Sequence, residues 1–308
     1  MGSGKFDSFS STHAYAAFTA STVGKGTDEV YASRAMHDSL NPKRVRVRES
    51  RDSVDNPQST PIIVGLDVTG SMGILADNIA RTGLGVLFNS ILERKPITDP
   101  HLMFMGIGDA NCDRAPLQVS QFEADARIIE QLASLYLEHG GGGNNFESYN
   151  LPWYFAAFHT EHDSIEKRGK RGYLFTVGDE QAPEPLTKEQ IKHFIGDDVE
   201  ANLTTKDLLE LAQRKYDVFH VVIKEGSHAR AFLPAVERTW RELLGQHVIL
   251  LDDHSKLAET IVSAIEVTEG REAAESAARW GAGGAIVHEA IKSLPKGKPT
   301  GLLEAPAA

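Results

Sequence analysis

The sequence predicts an α/β protein with a doubly wound, mainly parallel central sheet flanked by helices. Short apolar runs rich in β-branched residues end at turn residues, amphipathic stretches separate these runs, and no internal repeat is present. Strands that are apolar along their whole length are typical of sheets covered on both faces. The alternation of strands with helices favours parallel pairing. The predicted strands are 62–67, 101–107, 172–178, 217–223 and 247–251, with a short edge strand near Val119 and Phe122.

Amphipathic stretches with helical spacing of apolar residues lie between and after these strands. A further helical pattern near the C-terminus runs into a segment rich in proline, glycine and alanine, which we expect to fray. The predicted helices are 74–94, 123–138, 146–160, 204–215, 229–244, 254–267 and 271–293.

Composition changes along the chain predict three parts. Residues 1–60 are rich in Ser, Thr, Ala and Asp and show little periodicity, so we predict an irregular N-terminal extension. The strand–helix alternation begins at Ile62 and predicts the main domain over 61–268. Residues 269–308 are predicted to form a C-terminal helix and a flexible tail.

The composition argues against several functional classes. The net charge of −11 disfavours general binding to nucleic-acid phosphates. No apolar run approaches the roughly 18–20 residues that a membrane-spanning helix needs. The single cysteine, Cys112, allows no intrachain disulfide and no zinc site of several thiolates. From these features we expect a cytoplasmic protein without nucleic-acid or membrane partners.

Polar side chains cluster where the first predicted strand ends. Asp67, Thr69 and Ser71 occupy alternate positions, and Gly70 between them permits a tight turn. Alternation in an extended loop directs the three oxygen-bearing side chains to one side. Binding sites of doubly wound sheets lie outside the carboxyl ends of the strands. We therefore expect this segment to form part of a binding site.

Other polar residues follow the neighbouring predicted strands and the helix at 123–138. Carboxylate and hydroxyl oxygens suit a hard cation, so we predict Mg²⁺, with Ca²⁺ or Mn²⁺ as alternatives. Few charged ligands would leave an open position on the ion, which a carboxylate of a protein partner could fill. The residues themselves predict Asp67, Thr69, Ser71 and Asp179 as metal ligands, and Gly70, Gly143, Asn144, Asn145, Glu147, Asp109 and Glu180 at the same edge of the sheet.

The segment Asp67-Val68-Thr69-Gly70-Ser71-Met72 resembles the Asp-x-Ser-x-Ser motif of von Willebrand factor type A (vWA) domains, their metal-ion-dependent adhesion site. The family's second loop, Gly-Gly-Thr-Asn, is similar to Gly142-Gly143-Asn144-Asn145, and its third-loop aspartate corresponds to Asp179. The resemblance implies a Rossmann-like vWA fold over about residues 61–267. It also implies a non-catalytic module that binds a protein partner through Mg²⁺ and an acidic residue of that partner. Intracellular members of the family act in larger assemblies, including with AAA+-type ATPases, and a phage-related assembly is a further option.

The second loop departs from the family pattern. No threonine stands where the family has its ligand, so either the Asn144 amide oxygen or the Glu147 carboxylate would complete the site. A carboxylate at this position would strengthen binding of the cation, and it would also oppose capture of an acidic partner.

Two other functions are compatible with parts of the sequence. Asp67-Val68-Thr69-Gly70-Ser71 is also similar to the nucleophile loop of haloacid-dehalogenase-type phosphotransferases, in which Asp67 would form an aspartyl phosphate. That family has a hairpin flap after this loop, whereas a long helical pattern begins here at Ile74. Its third motif also needs a second aspartate, where this chain has Glu184. The other alternative is a structural assembly protein in which the metal only stabilises the fold.

Overall fold

The computed structural model describes residues 35–72, 74–79, 84–125, 127–137 and 144–297, together with a few isolated positions before residue 35. A six-stranded sheet forms its centre, in the order β4-β3-β2-β6-β7-β8, and β1 and β5 form a separate parallel pair. The strands are β1 (Arg48–Ser50), β2 (Thr60–Asp67), β3 (Pro100–Ile107), β4 (Leu117–Val119), β5 (Thr160–His162), β6 (Gly172–Gly178), β7 (Tyr216–Ile223) and β8 (Val248–Leu251).

Helices follow most of the strands and cover both faces of the sheet. They are α1 (Ile74–Asn78), α2 (Leu84–Arg94), α3 (Arg127–Ala133), α4 (Asn150–Phe158), α5 (Asp163–Arg168), α6 (Lys188–Phe194), α7 (Thr205–Gln213), α8 (Ser227–Leu244), α9 (Leu257–Thr268), α10 (Ala273–Ala278) and α11 (Gly284–Ile291). None of these helices combines the length and the apolar character that crossing a membrane requires.

The predicted fold class is confirmed, because β3, β2, β6, β7 and β8 pair in parallel and only the edge strand β4 runs antiparallel. Every residue of β2, β3, β6 and β7 is buried. Alternate side chains of β2 belong to two different cores, Val64 to one and Ile63 to the other. A sheet covered on both faces explains the uninterrupted apolar runs in the sequence.

The predicted helix over 123–138 is wrong at its start and in its length, since α3 covers only Arg127–Ala133. Glu123 and Leu102 exchange both backbone hydrogen bonds, so the chain at 123 is tied to β3 instead of entering a helix. After α3, the Gln118 amide bonds to both the backbone N–H and the carbonyl of Tyr136. These tertiary contacts outweigh the local helical pattern, and residue 138 lies outside the described residues.

The predicted helix over 146–160 begins later and ends earlier. Phe146 forms an isolated bridge with Gln181, and α4 covers Asn150–Phe158. Thr160 then pairs with Arg48 as the start of β5, a strand that the sequence did not predict. Strands of three residues have too few positions to show a period of two, and their pairing depends on a distant partner.

Other predicted helices are divided or shifted. The pattern over 74–94 corresponds to α1 and α2, with residues 80–83 outside the described residues. The pattern over 271–293 forms α10 and α11, separated near Gly281, whose φ of 57° is not helical. Helices α5 and α6 and strand β1 were not predicted.

Candidate metal centre

The carboxyl ends of three neighbouring strands form the edge on which the predicted site lies. In the sheet register, Asp67 of β2 is level with Ile107 of β3, and Leu66 is level with Val177 of β6. Asp109 and Asp179, each two residues beyond these partners, therefore leave the sheet at the same edge as Asp67. Because β2, β3 and β6 are parallel, the loops that follow them begin at the same edge of the sheet, as the sequence predicted.

Asp67 is fully buried, and hydrogen bonds hold both of its carboxylate oxygens. Its Oδ1 accepts from the backbone N–H of Thr69 at 2.9 Å and from Thr69 Oγ1 at 2.6 Å. Its Oδ2 accepts from Tyr149 Oη at 2.7 Å. The alternate spacing of Asp67 and Thr69 thus closes a local turn, while the second oxygen depends on a residue from the loop before α4.

Ser71 connects the first loop to the third. Its Oγ donates to Asp179 Oδ1 at 2.7 Å and lies 3.3 Å from Thr69 Oγ1. Asp179 Oδ2 accepts from the backbone N–H of His228 at 2.8 Å, in the first turn of α8. Negative charge is favourable at a helix N-terminus. The backbone of Gly226 packs so closely on Asp179 that a Cβ there would overlap the carboxylate.

In the second loop, which precedes α4, the Asn144 amide has a hydrogen-bond partner, whereas one carboxylate oxygen of Glu147 has none among the described residues. Asn144 Nδ2 donates to Asp109 Oδ2 at 2.6 Å. Glu147 is 3% exposed, and its Oε2 has no hydrogen-bond partner among the described residues. Asn145 contributes its backbone carbonyl, which accepts from the N–H of Gln181 at 3.3 Å. Gly143 lies outside the described residues.

Glu180 is a second buried carboxylate with an unsatisfied oxygen. The residue is 6% exposed, and its Oε2 has no hydrogen-bond partner among the described residues. Its backbone is firmly held, because its N–H donates to Tyr149 Oη at 3.4 Å and its carbonyl accepts from Trp240 Nε1 at 2.8 Å. Its side chain therefore extends from a fixed backbone next to Ser71.

Asp109 organises the loop after β3. Its Oδ1 accepts from both the backbone N–H and the amide Nδ2 of Asn111 at 2.9 Å. Its Oδ2 accepts from Asn144 Nδ2, and the Cys112 thiol lies 3.4 Å away. Asp109 therefore connects the loops after β3 and before α4.

Buried negative charge accumulates at this edge, and the described part of the chain supplies no basic side chain that pairs with it. None of the lysines and arginines in the described part of the chain forms an ion pair with the five carboxylates, which are those of Asp67, Asp109, Glu147, Asp179 and Glu180. Unpaired buried charges are strongly destabilising. A bound cation would remove this cost.

The pKa values of three of these groups reflect the same imbalance. Burial, followed by the charge of Asp179, raises the pKa of Asp67 to about 7. Burial and then Asp67 and Asp179 raise the pKa of Glu180 to about 8. Burial and then the charges of Asp67, Glu180 and Asp109 raise the pKa of Glu147 to about 11. Each value indicates that the ionised form lacks a positive partner.

The donor set fits a hard divalent cation. Asp67, Asp179, Thr69 and Ser71 supply carboxylate and hydroxyl oxygens, which Mg²⁺ and Ca²⁺ prefer. Among the described residues, no histidine side chain and no thiol is hydrogen-bonded to these four residues, so a zinc or copper site is disfavoured. One carboxylate oxygen of Glu147 and one of Glu180 have no hydrogen-bond partner among the described residues, and a nearby cation would interact favourably with both.

Tyr149 belongs to this candidate centre, and the sequence did not predict it. It is fully buried, donates to Asp67, accepts from Glu180, and packs edge-on against His220 and Trp240. A Cβ on Gly178 would overlap its Oη, so the glycine creates the space for it. No local pattern indicates this role, because Tyr149 and Asp67 are 82 positions apart in the chain.

A second group of possible ligands lies beyond β7 and β8. Among the described residues, the His, Cys, Asp and Glu trio whose ligand atoms all fall within 4.8 Å of one another is Glu225, Asp253 and His254. Glu225 Oε2 accepts from the backbone N–H of His254 at 2.6 Å and lies 2.8 Å from its Nδ1. These bonds join two loops and account for the cluster without a metal.

No protein-family model matches the chain, and no curated protein matches it in sequence. Among solved structures it is similar to one crystal form of the pilus adhesin SpaC from Lactobacillus rhamnosus GG, with 11% identity and a TM-score of 0.45, covering 70% of this chain and 32% of the adhesin. The open conformation of that adhesin gives 12% identity, a TM-score of 0.45, and 71% and 32% coverage. A von Willebrand factor type A protein from Catenulispora acidiphila gives 12% identity, a TM-score of 0.37, and 70% and 44% coverage. The chain thus spans less than half the length of each, and similarity at this level carries no functional argument.

Proposed function

We propose that this chain is a vWA-type module that binds a divalent cation, Mg²⁺ in the first place, and uses it to hold a protein partner without catalysis. The observation that carries the proposal is the hydrogen bond from Ser71 to Asp179, which unites the loops after β2 and β6 beside buried carboxylate oxygens that lack partners. Asp67, Thr69, Ser71 and Asp179 would hold the ion. The bound ion would attract a further oxygen ligand.

Access to the site supports a role in binding. Ser71 is half-buried and Gly70 is exposed, so the first loop faces solvent, whereas Asp67 behind it is fully buried. An acidic side chain of a partner could reach an open coordination position from the solvent side. We propose a partner within a larger intracellular or phage-related assembly, and an AAA+-type ATPase is one class of partner that fits this role.

The geometry supports a phosphotransferase less well. An Asp67 nucleophile would have to reach a phosphoryl group, yet its side chain is fully buried and both oxygens already accept hydrogen bonds. Covalent catalysis requires an accessible, activated nucleophile. Tyr149 and Thr69 instead hold the carboxylate in a fixed orientation.

Calorimetric titration of the metal-free chain with Mg²⁺ and Mn²⁺ tests the metal site. We expect Asp67→Asn to abolish binding of the ion held by Asp67 and Asp179, and the matched control Asp198→Asn, a change in an exposed surface carboxylate, to leave it intact. Equal binding by wild type and Asp67→Asn would refute the site.

Affinity capture with wild-type chain and the Asp67→Asn variant, in Mg²⁺ and in chelator, tests the binding role. A partner that is retained only by the wild type and only in Mg²⁺ supports the proposal. Metal binding that changes no interaction would instead support the purely stabilising metal. Formation of a beryllofluoride or phosphoryl adduct at Asp67 would favour the phosphotransferase.

A further inference from the structure

A small cavity of about 90 Å³ lies beside the candidate metal centre, between the loops after β3, before α4 and after β6. Its polar lining includes Asp109, Asn111, Glu147, Ser148 and Glu184. No lysine, arginine or histidine is among the described residues that line it. The cavity therefore carries a negative electrostatic environment.

One side chain of this lining is unsatisfied. Glu147 is 3% exposed, lines the cavity, and has an Oε2 without a hydrogen-bond partner among the described residues. A buried polar atom without a partner typically costs about 1–3 kcal/mol, and more if it is charged. An occupant that accepts this oxygen as a ligand would remove the cost.

A single ion cannot serve all the carboxylates at this edge. Oxygens bound to one Ca²⁺ lie at most about 5 Å apart, because each Ca–O distance is about 2.3–2.6 Å. No three of Asp67, Asp109, Glu147, Asp179 and Glu180 bring one oxygen each within 4.8 Å of one another. One divalent ion at Asp67 and Asp179 would also leave three of the five carboxylates without a counter-charge.

The remaining carboxylates, Glu147 and Glu180, lie within electrostatic range of the aspartates that follow or end β2 and β3. Glu147 and Glu180 each interact electrostatically with both Asp67 and Asp109. Asp109 and Glu147 line the cavity, whereas Asp67 does not. The cavity volume is several times the roughly 10–15 Å³ that one water needs, so it can hold a cation with part of its hydration shell.

We propose that a second divalent cation binds in this cavity, held by Glu147 and Asp109. This inference rests on the first metal site of the proposed function and makes the centre binuclear. Asp109 Oδ2 now accepts from Asn144 Nδ2, and rotating that amide would present its Oδ1 to the ion instead. Asn144 then serves the second ion and not the first.

Mn²⁺ binding to the full, metal-free chain tests this inference by equilibrium dialysis and electron paramagnetic resonance. We expect two Mn²⁺ per chain, with spectral broadening from dipolar coupling at saturation. Asp109→Asn should reduce the stoichiometry to one and remove the coupling. In Asn144→Ala, which keeps every carboxylate, the second ion should bind about 10-fold more weakly while the first is unchanged.

Glu225→Gln is the matched control, because it alters the other ligand cluster and should leave two coupled ions. Loss of the second ion in Glu225→Gln, or its binding with wild-type affinity in both Asp109→Asn and Asn144→Ala, would overturn the inference. A stoichiometry of one that is lost in Asp67→Asn would also overturn it, while leaving the proposed function intact. No binding at all would refute both.

Discussion

Tyr149 Oη donates a 2.7 Å hydrogen bond to Asp67 Oδ2, and both side chains are completely buried. The same Oη accepts from the backbone N–H of Glu180. One hydroxyl therefore connects the loops that follow β2 and β6 to the loop that precedes α4. The orientation of the central carboxylate depends on this tyrosine.

We expect Tyr149→Phe to lower the free energy of unfolding by about 1–3 kcal/mol, since it leaves a buried carboxylate oxygen without its donor. Urea denaturation in chelator measures the change. Tyr154→Phe is a suitable control, because Tyr154 Oη also donates to a carboxylate, Asp197, but at a partly exposed site. A loss no greater than that of the control would contradict the role assigned to Tyr149.

Glu147→Gln should stabilise the metal-free protein, and the gain should grow with pH. The folded pKa of Glu147 is raised from 4.5 to about 11, so between these values the folded state holds a proton that the unfolded state releases. Stability from this group is complete below about 4.5 and falls as pH rises. Glutamine does not titrate. The difference in free energy of unfolding between the variant and the wild type should therefore increase by about 1 kcal/mol per pH unit from pH 5 to 8.

Denaturation in chelator at several pH values measures this difference. Glu130→Gln, on the exposed side of α3, should show none. In saturating Mn²⁺ the sign should reverse, because the wild type gains a metal ligand that the variant lacks. A pH-independent difference in chelator would contradict the raised pKa of Glu147.

Gly178→Ala should disturb the metal centre without changing any polar group. The added Cβ would overlap Tyr149 Oη, so the tyrosine has to move away from Asp67. We expect a loss of about 1–3 kcal/mol, typical of overpacking, together with weaker Mg²⁺ binding. In Gly283→Ala the nearest neighbour is the flexible Lys256 side chain, and calorimetry should find unchanged Mg²⁺ affinity. Wild-type affinity in Gly178→Ala would argue against the coupling.

Glu266→Gln tests how α10 is held to the main domain. Glu266 is 2% exposed, pairs with Arg94 at 3.1 Å and with Arg279 at 2.8 Å, and lies on α9. Removing one partner of a buried ion pair leaves uncompensated charge and costs about 3–5 kcal/mol. Thermal unfolding should show this loss, while Glu289→Gln, in an exposed pair with Lys292, should change stability by less than about 1 kcal/mol. Similar small effects in both would contradict a buried network.

The strands were predicted closely because a strand that is buried on both faces is an uninterrupted apolar run, which is visible in the local sequence. The apolar run from Ile62 and the strand Gly172–Gly178 are visible without knowledge of their neighbours. Helix boundaries were less accurate, because Glu123 pairs with Leu102 and Gln118 holds Tyr136. Such contacts join residues that are distant in sequence, and they override local helical preference.

By itself, the sequence determined the α/β class, the three loops that meet at one edge of the sheet, and the hydroxyl and carboxylate residues that those loops carry. These features follow from local patterns and from the geometry of parallel strands. Only the tertiary structure showed that the Asn144 amide donates to Asp109, whereas Glu147 Oε2 has no hydrogen-bond partner among the described residues. It likewise revealed Tyr149 and the cavity beside Glu147, since packing between distant segments determines which buried oxygens keep a partner and which do not.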